Sequence, residues 1–215
     1  MRRLGFALLS VAAFAPVGLV STALADDCTK DVLAAFEKQR TSKGFRVAMT
    51  QPTAEGPADM TVDYLPPNKM LQTVKSAAMA GVQQTMLVGD RAFAGSEGAF
   101  EELLPQYTQS IVAEVETALS KPQANIGNFE CVGKATFDGK ELLAYRAADK
   151  DIKPGTDPGD VLARTIYVEP SSGLPAYNVV GAVSGKGDPV MKVAYTYPTD
   201  VVIEVPQGAP MQKSR

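Results

Sequence analysis

The chain has 215 residues, with 21 basic and 24 acidic side chains, a formal charge of −3 and no histidine. That acidic balance argues against a partner held through nucleic-acid phosphates, which needs a basic face. Without histidine the usual general base near neutral pH and the commonest zinc ligand are gone, so no enzyme chemistry, metal or cofactor is expected.

In chain order, Arg2 and Arg3 precede an almost charge-free apolar stretch at 4–20, and Ala23-Leu24-Ala25 is an A-x-A cleavage sequence ahead of Asp26. Residues 1–25 therefore read as a signal peptide cleaved after Ala25, and the product as exported and periplasmic. A retained membrane anchor is the alternative, disfavoured by Pro16, Gly18 and the small-residue site that follows. Asp26 and Asp27 do not fit a lipid-attachment box at Cys28. Nothing around Arg2-Arg3 supports the folded-protein export route, so general secretion is expected. About 190 residues remain, enough for one domain that hides about 70% of its unfolded surface. It is expected to span 26–206, with a loose tail at 207–215. Cys28 and Cys131 are the only cysteines, and in an oxidising compartment a lone pair reads as a disulfide bond, with two free thiols as the alternative. Such a bridge spans 103 residues. In the chain-entropy model it is worth about 4.7 kcal/mol at most.

Residues 29–39 place Val32, Leu33 and Phe36 on one side of a helix, and Gly44 ends the segment. The period then changes to two: Phe45, Val47 and Met49 alternate with polar or small neighbours, as do Met60, Val62 and Tyr64. After Pro66-Pro67-Asn68, strands follow at 70–74 and 82–88, with a Gly89-Asp90 turn into Arg91. Phe100, Leu103, Leu104, Tyr107, Ile111, Val115 and Leu119 then recur at steps of three and four, predicting a second helix from Pro105 to just before Pro122. Beyond Asn128 the strands return. Residues 129–137 and 142–145 flank the short-hairpin signal Asp138-Gly139. Residues 164–169 and 174–180 flank Pro170-Ser171-Ser172-Gly173, and 190–197 and 201–205 complete the set. The pattern predicts an α+β fold: an antiparallel meander of roughly 8–11 strands with segregated helices. A sheet that wide curls, and its concave side is a ligand cavity unless the helices fill it.

This order of elements is similar to the outer-membrane lipoprotein carrier (LolA-like) family. The local stretch that carries the resemblance is Ile166-Tyr167-Val168-Glu169-Pro170-Ser171-Ser172-Gly173-Leu174-Pro175, which looks like the family's strand, acidic-Pro-x-x-Gly-Leu-Pro turn and next strand. Val201-Val202-Ile203-Glu204-Val205-Pro206-Gln207-Gly208 resembles its closing strand and exit. The resemblance implies an incomplete β-barrel with helices over its concave face and an apolar cavity able to accept acyl chains. One departure is Pro66, which stands where the carriers tend to have an arginine. The tryptophans common in those carriers are also missing. A divergent envelope relative is therefore expected rather than a lipoprotein shuttle.

The remaining motifs carry little chemistry. Glu101-Glu102, Asp26-Asp27 and Asp157/Asp160 read as solvated carboxylates, and Gly95-Ser96-Glu97-Gly98 as a loop, since no Lys-Ser or Lys-Thr and no βαβ context follow it. Methionine adapts to irregular apolar surfaces. The expected cavity lining is Met49, Met60, Val62, Met70, Met86, Phe93, Tyr145, Ile166, Met191 and Tyr195, each of which also suits an ordinary core. Arg46, Lys69 and Arg91 are the candidate contacts for an anionic head group. The expected function is periplasmic, non-enzymatic binding of a lipid or other amphiphile in a half-barrel cavity, in lipid or lipoprotein handling. The alternative is an envelope structural or protein-interaction module with a filled interior.

Overall fold

A computed structural model describes residues 22–122, 126–147 and 161–213, with side chains from residue 27 onward. The apolar leader through residue 21, the Asp157/Asp160 pair and the last two residues lie outside the described residues. Helix α1 (Thr22–Arg40) is followed by β1 (Phe45–Thr53), β2 (Gly56–Leu65), β3 (Lys69–Ser76), β4 (Val82–Val88), β5 (Arg91–Ser96) and β6 (Ala99–Glu102). Helix α2 (Pro105–Leu119) leads to β7 (Phe129–Phe137), β8 (Lys140–Ala147), β9 (Leu162–Val168), β10 (Pro175–Ala182) and β11 (Met191–Thr196). The strands form one 11-stranded sheet in the order β6-β5-β4-β3-β2-β1-β11-β10-β9-β8-β7. It consists of two antiparallel meanders that meet where β1 pairs with β11, Val47 opposite Tyr195. Strands β6 and β7 are the two edges and do not meet, so the sheet is an incomplete barrel with its helices on the concave face.

Turn chemistry explains several joints. Asp138 and Gly139 both take positive φ, 51° and 75°, in the two-residue turn between β7 and β8. The Gly95-Ser96-Glu97-Gly98 segment is the tight β5–β6 hairpin. A Cβ on Gly95 would lie 2.0 Å from the Ala99 carbonyl oxygen, so the close approach of the two strands requires glycine there. Pro105 opens α2 at its first helical position, where its missing N–H costs nothing.

The structure corrects four expectations. Helix α1 begins at Thr22 rather than residue 29 and so runs through the expected cleavage position. Phe100 belongs to β6, not to the stripe of α2, and Tyr107 is exposed, so the buried face of α2 is Thr108, Val115 and Leu119. Residues 201–205 form no strand. Ile203, 1% exposed, instead packs with Met86 and Phe93 on the convex face, flanked by Val201 and Ala209. The alternation of Val201 and Ile203 serves face-on burial rather than edge pairing. The Lys69 Nζ donates to the Ile203 carbonyl at 3.0 Å and holds the segment there. The tail beyond it, expected to be loose, is also held. The Glu102 amide donates to the Pro210 carbonyl and the Gln212 amide to the Glu102 carbonyl, both at 2.8 Å, through an isolated parallel bridge on the β6 edge. Among the described residues, no helix is long and apolar enough to cross a membrane.

Candidate functional site

The strand registers decide which side chains share the concave face. Phe45, Tyr64, Met70, Leu87 and Ala92 lie in one cross-strand row, joined by the pairings of β1 to β5. Helix α2 covers this row: Val115 and Leu119 are buried in one cluster with it. Over the other meander, α1 buries Cys28, Val32, Ala35 and Phe36 against Phe129, Tyr145, Ile166 and Val168. Each fully buried side chain of this size is worth roughly 1.5–3 kcal/mol in transfer. Both helices therefore sit on one face, each over its own meander.

The two are held differently. Cys28 is bonded to Cys131 on β7, and the Phe129 amide donates to Thr29 Oγ1 at 2.8 Å. Tyr145 donates to Asp31 at 3.4 Å, and Gln39 Nε2 to the Tyr197 hydroxyl at 3.1 Å, which in turn donates to the Pro175 carbonyl at 2.8 Å. By contrast, the side-chain hydrogen bonds of α2 are local, Thr108 to the Leu103 carbonyl and Thr117 to the Ala113 carbonyl. Among the described residues, no side-chain hydrogen bond or ion pair joins α2 to the sheet. A pocket of about 360 Å³ also enters beside it from the Pro67-Asn68 and Gly89-Asp90 turns and reaches Leu87 and Val115. A second groove, of about 530 Å³, adjoins this pocket at Asp90, Val112 and Glu116 and continues along Leu103, Thr108 and Met211. Volumes of this size suit a small apolar ligand.

The ten residues expected to line one cavity are divided. Val62 and Met70 are buried beneath α2, and Met60 packs against that cluster. Tyr145 and Ile166 are buried beneath α1, with Tyr195 packed beside them and edge-on to Phe36 at 6.2 Å. Met49 and Met191 continue the concave face, Met49 opposite Val193 and half-buried, Met191 opposite Val180 and 38% exposed. Met49 and Met60 also border a groove of about 560 Å³ with Pro189 and Val190. Met86 and Phe93 face the convex side, because their neighbours Leu87 and Ala92 take the inward positions. Both lie under Ile203 and cannot share a concave cavity.

The three cations considered for a head group are occupied elsewhere. Arg46 makes a two-pronged pair with Asp63 at 2.7 and 3.0 Å, and Arg91 another with Glu102 at 2.9 and 2.6 Å. Lys69 holds the Ile203 carbonyl. The hydrogen bond from Arg91 holds the Glu102 carboxyl below the usual range. Burial, with the Glu114 charge and Tyr195 adding to it, pushes the Tyr64 hydroxyl up to about 12, and burial also raises that of Tyr197.

Sequence reasoning missed Arg164. On β9 it shares the parity of Ile166 and so points inward, and its guanidinium lies 5.9 Å from the Phe129 ring centre. A charge at an inward position of an alternating strand was the available signal.

No family model and no curated protein matches the sequence. Among solved structures, the Mycobacterium tuberculosis lipoprotein LppX aligns with a TM-score of 0.50 at 12% identity, covering 83% of this chain and 99% of that one. A chain of the Pseudomonas aeruginosa MucA/MucB complex aligns at 0.45 and 10% identity, covering 81% of this chain and 59% of that one, so this chain spans less than two thirds of its length. A LolA superfamily protein from Nitrosomonas europaea aligns at 0.28 and 11% identity, covering 80% and 91%. The open antiparallel sheet with helices on its concave face is a fold similar to that of LppX.

Proposed function

We propose that this is an exported, non-enzymatic periplasmic protein that binds a lipid or other amphiphile on the concave face of its half-barrel. The observation that carries the reading is the weak seal at α2. Among the described residues, no side-chain hydrogen bond or ion pair joins this helix to the sheet, and a pocket of about 360 Å³ runs beside it to the buried Leu87 and Val115. Lifting such a cover exposes an apolar floor of Val62, Met70 and Leu87 that an acyl chain re-covers, so the transfer cost of opening is returned by the guest. The sequence's resemblance to the LolA-like family agrees with this use, and the export-type N-terminal sequence agrees with the location.

Native mass spectrometry of protein purified from the envelope, together with uptake of a fluorescent fatty acid, tests the reading. Co-purified lipid or saturable uptake is expected; neither appearing would sink it. A second reading, an envelope module that binds another protein, is favoured by the close packing of Val62, Met70, Tyr145 and Ile166. It predicts no lipid uptake, and specific recovery of an envelope protein after cross-linking.

A further inference from the structure

Among the described residues, the concave face of the second meander carries one charged group with no counter-charge. Arg164 donates from Nε to Asn178 Oδ1 at 3.0 Å and lies over the Phe129 ring. Among the described residues it makes no ion pair with a carboxylate. Its surroundings make this unusual. Each two-pronged arginine pair lies on the convex side, whereas Arg164 is half-buried opposite Val180 and beside the row Ile166, Asn178, Val193, Met49 and Met60, which is apolar beyond Asn178. A guanidinium so placed has lost part of its water without gaining an anion, and supplying one from outside recovers that loss. Asn178 fixes the fork and Phe129 supports its plane, so little side-chain entropy remains to be lost on binding. Tyr195 stands next to it. Burial raises its hydroxyl, and Asn178 and the Arg164 charge oppose that shift, which puts a second polar group within the field of the same cation.

We propose that Arg164, positioned by Asn178, receives the anionic head of an acyl amphiphile whose chain lies along Val193, Met49 and Met60. This rests on the amphiphile-binding reading and adds its selectivity: a carboxylate or phosphate head over a neutral one. The chemistry is a charge-assisted, two-pronged contact at the edge of an apolar strip, with the tail supplying affinity and the arginine supplying discrimination.

The test compares a 16-carbon fatty acid with the alcohol of the same length, measured by displacement of a fluorescent fatty acid from the full-length protein at neutral pH and low salt. The acid is expected to bind about tenfold more tightly. Arg164→Gln should bring the two within about twofold, while Arg164→Lys keeps part of the preference. Asn178→Asp offers a route that leaves the arginine in place. The new carboxylate pairs with it and should erase the preference as fully as Arg164→Gln does, so a misfolded arginine variant leaves the proposal exposed to refutation. Equal binding of acid and alcohol by the unaltered protein overturns the head-group assignment and leaves the amphiphile reading standing. A preference that survives both Arg164→Gln and Asn178→Asp overturns the role of Arg164. Binding of neither compound removes the amphiphile reading and this proposal together.

Discussion

Helices α1 and α2 cover comparable parts of one sheet, yet they differ in what holds them there. Helix α1 is tied by the Cys28–Cys131 bond and by hydrogen bonds at Thr29, Asp31 and Gln39 along its length. Helix α2 is held by Thr108, Val115, Leu119 and their apolar surroundings. Freeing α1 therefore requires breaking a covalent bond and several directional contacts, whereas freeing α2 costs only the transfer of its buried face to water. Two covers over one concavity have thus been divided into a fixed wall and a removable one. Packing energy is repaid by any apolar contact of similar area, whereas a hydrogen bond demands a specific replacement, so α2 is the cover that the proposed amphiphile binding would displace.

The largest expected way to break this contrast is Phe129→Ala, which hollows the cluster beneath α1 where Phe129 is fully buried. A loss of about 3–5 kcal/mol is expected by denaturant titration. Next comes the double change Cys28→Ser with Cys131→Ser, expected to fold but to lose about 2–4 kcal/mol. Hydrogen exchange should then show α1 amides opening as readily as those of α2. If α1 stays the better protected helix without its bond, the hydrogen bonds alone make it the fixed wall. Third is Val115→Ala, worth about 2 kcal/mol. Its exchange signature should be confined to α2 and the pocket beside it, and spread of that effect into α1 would contradict the division.

The smallest effect is a matter of pH. The Tyr64 hydroxyl, beneath α2, is raised by burial to about 12, so its folded value lies above the unfolded one. Its contribution is complete below about pH 10 and is lost as pH rises through the folded value, about 1 kcal/mol being gone by about pH 11. Tyr64→Phe should flatten that part of the stability profile, and an unchanged profile in the variant would assign the loss to other groups.

The strands were legible because their period of two is interrupted by strong turn chemistry. Asp138-Gly139 and the Pro170 to Gly173 turn fall between strands as expected, and Pro105 opens α2. What alternation could not supply was the sign of each face. In β4 Met86 and Leu87 are adjacent, both apolar and both buried, so nothing local says which of them meets a helix and which meets Ile203. The same ambiguity sent Phe93 to the wrong side. Residues 201–205 satisfy the strand pattern because a segment laid across a sheet also needs one apolar side, so alternation alone does not separate the two outcomes. Arg164 went unremarked because its inward position follows from Ile166, three positions of context that a scan for charged clusters passes over.

The β1–β11 seam has a consequence for the order in which the chain can assemble. The first meander can form as soon as residue 102 is available and the second grows later, but β1 has only one neighbour until residues 191–196 arrive. In the meantime its other edge is open to pairing with any stray strand. The Cys28–Cys131 link joins the segment just before the first meander to the opening strand of the second, and both partners precede β11 in the chain. Once made, it shortens the loop that the seam must close and holds the two half-sheets within reach of each other while the last strand is still to come.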